Sequence, residues 1–373
     1  MRRFNRWKRT DGAVGVSEHL DTADGGPLRA AVIGCGAIAY EHLPYLTSSP
    51  DALLVGLCDR SRALAEAARN RFGAGTVYTD AEAMLAAERP DVVHVLTPPQ
   101  THDALVRQAL AAGAHVVCEK PMTGTAAETA ALIEAAAAAG RVLVESRNLL
   151  FNDPVIALLA MIAEGRLGTV RECDILLSLD FLAGPFGDRN LAGPGADLPA
   201  GAVHDFLPHL VYLFQALTGA ETADAVHGEL ANRSGNARAG FDFLDALVMA
   251  GQVRGRLRIA TDVEPSAFRV AVRGSEASVE TDLYNPFMRF DGPPDTGKRA
   301  PIGQMRGGFA LVRAGFANLR NKIGQHGTTH GLPRMLAATY AALRRGDPPP
   351  ITPAEMLATA RLTDEIVALG AGR

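Results

Sequence analysis

Arg29-Ala30-Ala31-Val32-Ile33-Gly34-Cys35-Gly36-Ala37-Ile38-Ala39 decides how the chain is read. A short apolar run stops at a pair of glycines, and residues 37–49 continue with helical character. Such a strand, turn and helix suits a phosphate. Gly34 makes the tight turn, Gly36 lets the backbone approach a pyrophosphate, and Ala39, standing where the strict pattern has a third glycine, is small enough for close helix packing. The helix start at Ala37 and Ile38 offers N–H groups and a favourable dipole. A second apolar run, Leu53–Cys58, ends at Asp59, 25 residues beyond Gly34. An acid there accepts hydrogen bonds from ribose hydroxyls and favours NAD. Arg60 beside it can pair with a 2′-phosphate, so NADP stays open.

Outward from this unit the alternation continues. Val77–Tyr78, Asp91–Leu96, 114–118 and 141–145 are strand candidates, separated by helical stretches at 61–69, 81–88, 101–112 and 125–139. Short, continuously apolar strands between helices predict a doubly wound parallel sheet covered on both faces. After residue 150 the texture changes. Helix 153–164 and strand 170–179 lead into the Gly- and Pro-rich stretch Phe181–Gly201. Helix 203–218 follows, then strands near 225–232, 240–250, 253–261 and 266–273, as in an antiparallel or mixed sheet. Residues 282–335, with Pro286, Pro293, Pro294, Gly297 and Pro301, read as irregular, an active-site arm or an oligomer contact. Helices 332–345 and 353–369 close the chain, and neither an internal repeat nor coiled-coil heptads are expected. The domain expectation is a flexible extension over 1–27, a dinucleotide domain over 28–150, a substrate and oligomerisation domain over 151–350, and a terminal helix over 351–373.

Composition narrows the function classes. The chain has 373 residues, 47% of them hydrophobic and 21% charged, which describes a globular protein rather than a disordered one. Its 37 Lys+Arg against 41 Asp+Glu give nucleic acid no general electrostatic grip. Cys35, Cys58, Cys118 and Cys173 form no CxxC pair and read as buried hydrophobes of a reducing compartment. The basic start, residues 1–10, is followed by Asp11, Glu18, Asp21 and Asp24 instead of an apolar run, so a secretory signal is not expected. No long charge-free apolar stretch follows. A cytoplasmic protein with no membrane partner is the expectation.

Three places carry chemistry. Thr97-Pro98-Pro99 leaves strand 91–96 where a nicotinamide half can pass, or the prolines only end the strand. Glu119-Lys120-Pro121 falls at the carboxyl end of strand 114–118, the edge where doubly wound sheets bind ligands. A lysine there can hold a substrate hydroxyl and join proton transfer. Asp205 and His209, four apart, share one helix face, so His209 can exchange a hydroxyl proton while Asp205 binds a second hydroxyl. Pro208 between them delays or kinks the helix. A metal site from His204, Asp205 and His209 lacks the usual spacing, and no metal is expected.

With these residues in place, the chain resembles the Gfo/Idh/MocA family of NAD(P)-dependent oxidoreductases over about residues 29–370. The likeness rests on residues 31–38 followed by His42, on Thr97-Pro98-Pro99 with His102, on Glu119-Lys120-Pro121, and on Asp205 with His209. It implies an α/β fold, a Rossmann domain followed by a domain built on an open, largely antiparallel sheet that often forms a dimer or tetramer interface. It implies Lys120, Asp205 and His209 as the catalytic group and a sugar, inositol or related polyol as substrate. Gly34, Gly36, Ala37, Ile38, Asp59, Arg60, Thr97, Pro98, His102, Glu119 and Lys120 are the residues expected around NAD. Arg147 and Asn152 resemble polar positions that touch substrate in the family. The expected reaction moves a hydride between a secondary hydroxyl and the nicotinamide. The alternatives are a sugar-modifying enzyme that retains NAD through transient oxidation, and a non-catalytic nucleotide-binding protein.

Overall fold

The computed structural model describes residues 26–179, 197–235, 239–261, 263–292, 300–324 and 331–370. They fall into two compact units, one of residues 26–151 and 331–360, the other of 152–324 and 361–370.

In the first unit β1 (Leu28–Ile33), α1 (Ala39–Ser48), β2 (Ala52–Cys58), α2 (Arg62–Phe72), β3 (Thr76–Tyr78), α3 (Ala81–Glu88), β4 (Val92–Val95), α4 (His102–Ala111), β5 (His115–Cys118), α5 (Ala126–Ala138) and β6 (Leu143–Glu145) alternate. The strands lie in the order β3-β2-β1-β4-β5-β6 and every pairing is parallel. That order reverses direction between β1 and β4, and the crevice outside their carboxyl ends is where such sheets take ligands. The runs read as apolar are buried, with Ala30, Ala31, Val32, Val92, Val93 and Val95 wholly enclosed. The helices start and stop on local signals. The Asp80 carboxylate accepts from the Ala83 N–H at the start of α3, and Gly73 ends α2 in the left-handed conformation.

The second unit holds α6 (Asp153–Ala163), β7 (Val170–Ser178), α7 (Gly201–Thr218), β8 (Ala225–Ala231), β9 (Phe243–Ala250), β10 (Val253–Ala260), β11 (Ala267–Gly274), β12 (Ser278–Asp282), β13 (Arg289–Asp291) and α8 (Ala300–Gly324). Its strands run β13-β12-β11-β7-β10-β9-β8, antiparallel except where β7 pairs with β10. One sheet face packs on α7. Gly255 in β10 has no side chain because an added Cβ would stand 2.5 Å from the Phe214 ring of that helix. Strands β12 and β13 were not expected. The segment 181–196, read as a long loop, lies outside the described residues.

Two expectations give way here. α9 (Leu332–Arg345) and most of α10 (Pro353–Val367) belong to the first unit, so the second domain does not run to 350. The reason is burial. Met335, Leu336, Tyr340 and Met356 join the hydrophobic core of the parallel sheet, with Tyr340 edge-on to Tyr45 of α1. The stretch 282–335 is not irregular throughout either. α8 occupies 25 of its residues, with Pro301 in the first turn, where a missing N–H costs nothing. It also carries a seven-residue repeat, Met305-Arg306-Gly307-Gly308-Phe309-Ala310-Leu311 followed by Val312-Arg313-Ala314-Gly315-Phe316-Ala317-Asn318. Its glycines and the prolines before it gave the region the composition of a loop.

Candidate active site

Gly34 sits at the reversal point of the first sheet with φ +98°, and a Cβ there would lie 2.8 Å from the Leu96 carbonyl group at the exit of β4. Only glycine fits. At Gly36 an added Cβ would meet nothing within 4 Å, so the space over the turn is open on the side a pyrophosphate needs. No side chain caps the start of α1, whose cap position is Ile38. Asp59 locks the turn. One carboxylate oxygen accepts from the Cys35 N–H at 2.8 Å and the other from the Ser61 N–H at 2.8 Å. Arg60 beside it is exposed. These residues fit a dinucleotide. Asp59 keeps lone pairs for ribose hydroxyls after accepting two main-chain bonds.

Lys120 follows β5, and the loop that carries it is fastened from below. Glu119 Oε2 accepts from the Lys120 N–H at 3.2 Å, while Oε1 lies 3.1 Å from His42 Nε2. Burial pushes the Glu119 carboxyl up, but His42, then Ser146 and Lys120, outweigh it and carry its pKa down to about 2. An ionised Glu119 makes His42 the donor. His42 Nδ1 stands 3.0 Å from His94 Nδ1, and His94 Nε2 stands 2.9 Å from the Tyr340 hydroxyl. Burial first, and His42 second, hold the His94 pKa well below its ordinary value. With His94 neutral, a chain in which Tyr340 donates to His94, His94 to His42 and His42 to Glu119 gives every ring nitrogen a partner. His42, His94 and Tyr340 are completely buried.

A second fastening holds Pro121 and Met122. The buried Glu145 accepts from the Met122 N–H at 3.2 Å and from Arg147 Nε at 2.9 Å, with Arg147 Nη2 paired to the same carboxylate at 2.8 Å. His102 lies between two loops, with Nε2 2.7 Å from the Thr97 carbonyl oxygen and Nδ1 3.1 Å from those of Pro121 and Met122. Burial lowers its pKa against the opposing pull of the carbonyls. His102 and Arg147 are therefore braces beneath the surface. Thr97 and Pro98 remain at the surface of the loop, held by the Thr101 hydroxyl at 2.7 Å from Thr97 Oγ1 and 2.8 Å from the Pro98 carbonyl.

In the second unit α7 runs unbroken through Pro208, so Asp205 and His209 do share a face. Both are partly exposed, while His204 is buried. His209 Nδ1 lies 2.6 Å from the Tyr212 hydroxyl. The helix begins at Gly201, with φ +55°, where any Cβ would collide with the Ala239 carbonyl oxygen at 2.2 Å. Among the described residues no three His, Cys, Asp or Glu side chains gather to hold a metal. All four cysteines are free and buried, and burial above all raises the Cys35 thiol to about 12 and that of Cys58 to about 11. No described helix is long and apolar enough to cross a membrane.

The structure thus brings Gly34, Gly36, Ala37, Ile38 and Asp59 into one turn, and Thr97, His102, Glu119 and Lys120 into a second cluster of the same unit. Asp205 and His209 lie in the other unit. His42, His94, Glu145 and Tyr340 carry a supporting role that sequence reading did not assign.

Known proteins align with this arrangement. Residues 28–146 match the family model described as the Gfo/Idh/MocA oxidoreductase family, NAD-binding Rossmann fold, and residues 155–280 match its C-terminal domain model. The D-glucoside 3-dehydrogenase of Escherichia coli is 35% identical over 145 residues, 39% of this chain and 41% of that protein. The chain likewise spans about two fifths of the other first curated relatives it matches. The inositol 2-dehydrogenase of Acidothermus cellulolyticus is 32% identical over 274 residues, 70% of this chain and 75% of that protein. Among solved structures, the WlbA dehydrogenase of Bordetella pertussis, crystallised with NADH and UDP-GlcNAcA, superimposes with a TM-score of 0.76 at 19% identity, covering 93% of this chain and 96% of that one. The chain belongs to the Gfo/Idh/MocA family of oxidoreductases, with an N-terminal NAD-binding Rossmann fold.

Proposed function

We propose that the protein is a nicotinamide-dependent dehydrogenase that oxidises or forms a secondary hydroxyl of a sugar, inositol or related polyol. The observation that carries this reading is Lys120, held by Glu119 at the carboxyl end of β5 in a nucleotide-binding sheet. The relatives named for glucoside and inositol oxidation support the substrate class. NAD, when bound, supplies the hydride acceptor or donor. The protein's own residues do the rest. Gly34 and Gly36 give the pyrophosphate access to the start of α1, and Asp59 takes the ribose hydroxyls and repels a 2′-phosphate, so NAD is preferred to NADP. Lys120 donates to the substrate oxygen and stabilises the negative charge that grows on it as the carbon gives up its hydride. His209 takes the hydroxyl proton in that direction and returns it in the other, while Asp205 binds a neighbouring hydroxyl.

The test is calorimetric titration with NAD and NADP, followed by a panel of polyols and glycosides with reduced nicotinamide as the readout. NAD is expected to bind more tightly than NADP, and at least one polyol to yield reduced cofactor. Binding without turnover on a broad panel contradicts the dehydrogenase reading. No binding of either nucleotide contradicts the whole assignment.

A further inference from the structure

α8 presents an apolar seam that no described residue of the chain covers. Met305, Phe309, Val312, Phe316 and Leu319 are 73%, 74%, 57%, 70% and 58% exposed, and they succeed one another in steps of four and three. A single helix of this length, about 37 Å at 1.5 Å per residue, gains nothing from a strict 3.5-residue period. The period serves a helix that winds around another helix. Continued through the helix, the repeat places Ile302, Phe309, Phe316 and Ile323 at heptad position a, and Met305, Val312 and Leu319 at d. On the side away from the seam, Asn318 Nδ2 donates to the Pro286 carbonyl oxygen at 2.7 Å and Ala314 is partly covered. The helix is tied to its own unit by its back.

The flanking positions say what fits the seam. Position e is Arg306, Arg313 and Arg320, and position g is Gly308, Gly315 and Lys322. An added Cβ at Gly308 or Gly315 meets nothing within 4 Å, and neither glycine has a positive φ. Their smallness therefore answers neither the chain's own packing nor its backbone. In a parallel pair each g position faces e of the next heptad on the other helix. Arg313 then crosses Gly308 of the second copy and Arg320 crosses its Gly315, each stem lying over a slot without a side chain. In an antiparallel pair e faces e, and arginines oppose arginines. No acidic residue stands anywhere in α8 to relieve them. We propose that α8 is a dimerisation helix that pairs in parallel with α8 of a second copy of this chain, with the Arg rows seated over the Gly rows. The proposal is independent of the enzymatic reading.

The test is the solution mass of the full-length protein by light scattering and sedimentation. Wild type is expected to be an even-numbered assembly, and Phe309→Asp/Phe316→Asp to halve its mass with the circular dichroism of the rest of the fold intact. Since the four native cysteines are buried, Leu319→Cys under mild oxidation reports orientation. Parallel pairing sets the two introduced thiols side by side and gives a covalent dimer. Gly308→Glu/Gly315→Glu is expected to tighten assembly about 10-fold, and the corresponding change to Arg to weaken it about 10-fold. An unchanged mass in the Asp variant, no cross-link through Leu319→Cys, or equal effects of Glu and Arg each overturn the proposal. So does seam-dependent binding to anionic phosphatidylserine vesicles by a wild-type protein that stays monomeric, which makes lipid the occupant.

Discussion

Lys120 stands on a loop pinned by buried polar side chains, whereas Asp205 and His209 ride on a helix held chiefly by apolar packing. Beneath Lys120 run Glu119, His42, His94 and Tyr340, with Glu145 and Arg147 alongside, a set drawn from α1, β4, β6, α9 and the segments that follow β5 and β6. Val203, Leu207, Leu210, Val211 and Phe214 form the buried face of α7, and the Phe214 ring lies against Gly255 in the sheet of the second unit. Hydrogen bonds fix direction within a few tenths of an ångström, and an apolar helix face fixes position while tolerating conservative replacement. The contrast assigns the stringent geometry to the lysine arm and the adjustable geometry to the arm that carries Asp205 and His209.

The sharpest way to break the contrast is to remove its focal group. Lys120→Met is expected to cut turnover about 100- to 10,000-fold with NAD affinity unchanged by calorimetry, as for other lost acid–base groups. Unchanged turnover removes Lys120 from the mechanism.

Acid stability tests the polar side next. His115 begins β5, and its Nδ1 accepts from the Val142 N–H at 2.9 Å. Burial first, and Arg141 second, lower its pKa to about 4. The unfolded chain therefore binds its proton near pH 6.5 and the folded chain only near 4. The stabilisation is complete above pH 6.5 and is lost as pH falls through that window, at a cost of roughly 3 kcal/mol at about 1.4 kcal/mol per unit. Denaturant melts from pH 7 to 4 are expected to show a steeper fall for wild type than for His115→Gln, and parallel curves would refute the role.

A milder probe sits closer to the site. Glu119→Gln is expected to destabilise the first unit by about 1–3 kcal/mol, because His42 loses its ionised partner. It is also expected to lower turnover more than it raises KM. On the apolar side, Gly255→Ala drives a methyl into the buried Phe214 ring and is expected to cost about 1–3 kcal/mol in thermal melts while leaving NAD affinity untouched. Loss of NAD binding in that variant would erase the distinction between the arms. The smallest effect belongs to Asp59→Asn, which keeps an acceptor for Cys35 but loses the charge. Calorimetry is expected to register about a 10-fold drop in NAD preference over NADP.

Local signals in the sequence carried much of this. The glycine turn, Asp59 after β2, the lysine after β5 and the Asp-His pair on α7 each announce themselves through a strand end or a helix spacing. The buried chain behind Lys120 does not, since His94 and Tyr340 are 246 positions apart and neither has a neighbour in sequence that betrays the other. His42 stood out only as a companion of the glycine turn. The return of α9 to the first unit was hidden for the same reason, because an amphipathic helix states that it is covered but not by which sheet. In α8 the glycines that lower helix propensity also masked the heptads.

The central claim is that Lys120 serves hydride transfer to or from a bound nicotinamide. Its most direct test is to incubate wild type and Lys120→Met with NAD and ring-deuterated polyols or glycosides, then weigh the cofactor by mass spectrometry. Reduced nicotinamide carrying deuterium is expected from wild type and almost none from the variant. Equal labelling by both proteins, or reduced cofactor without deuterium, would contradict it.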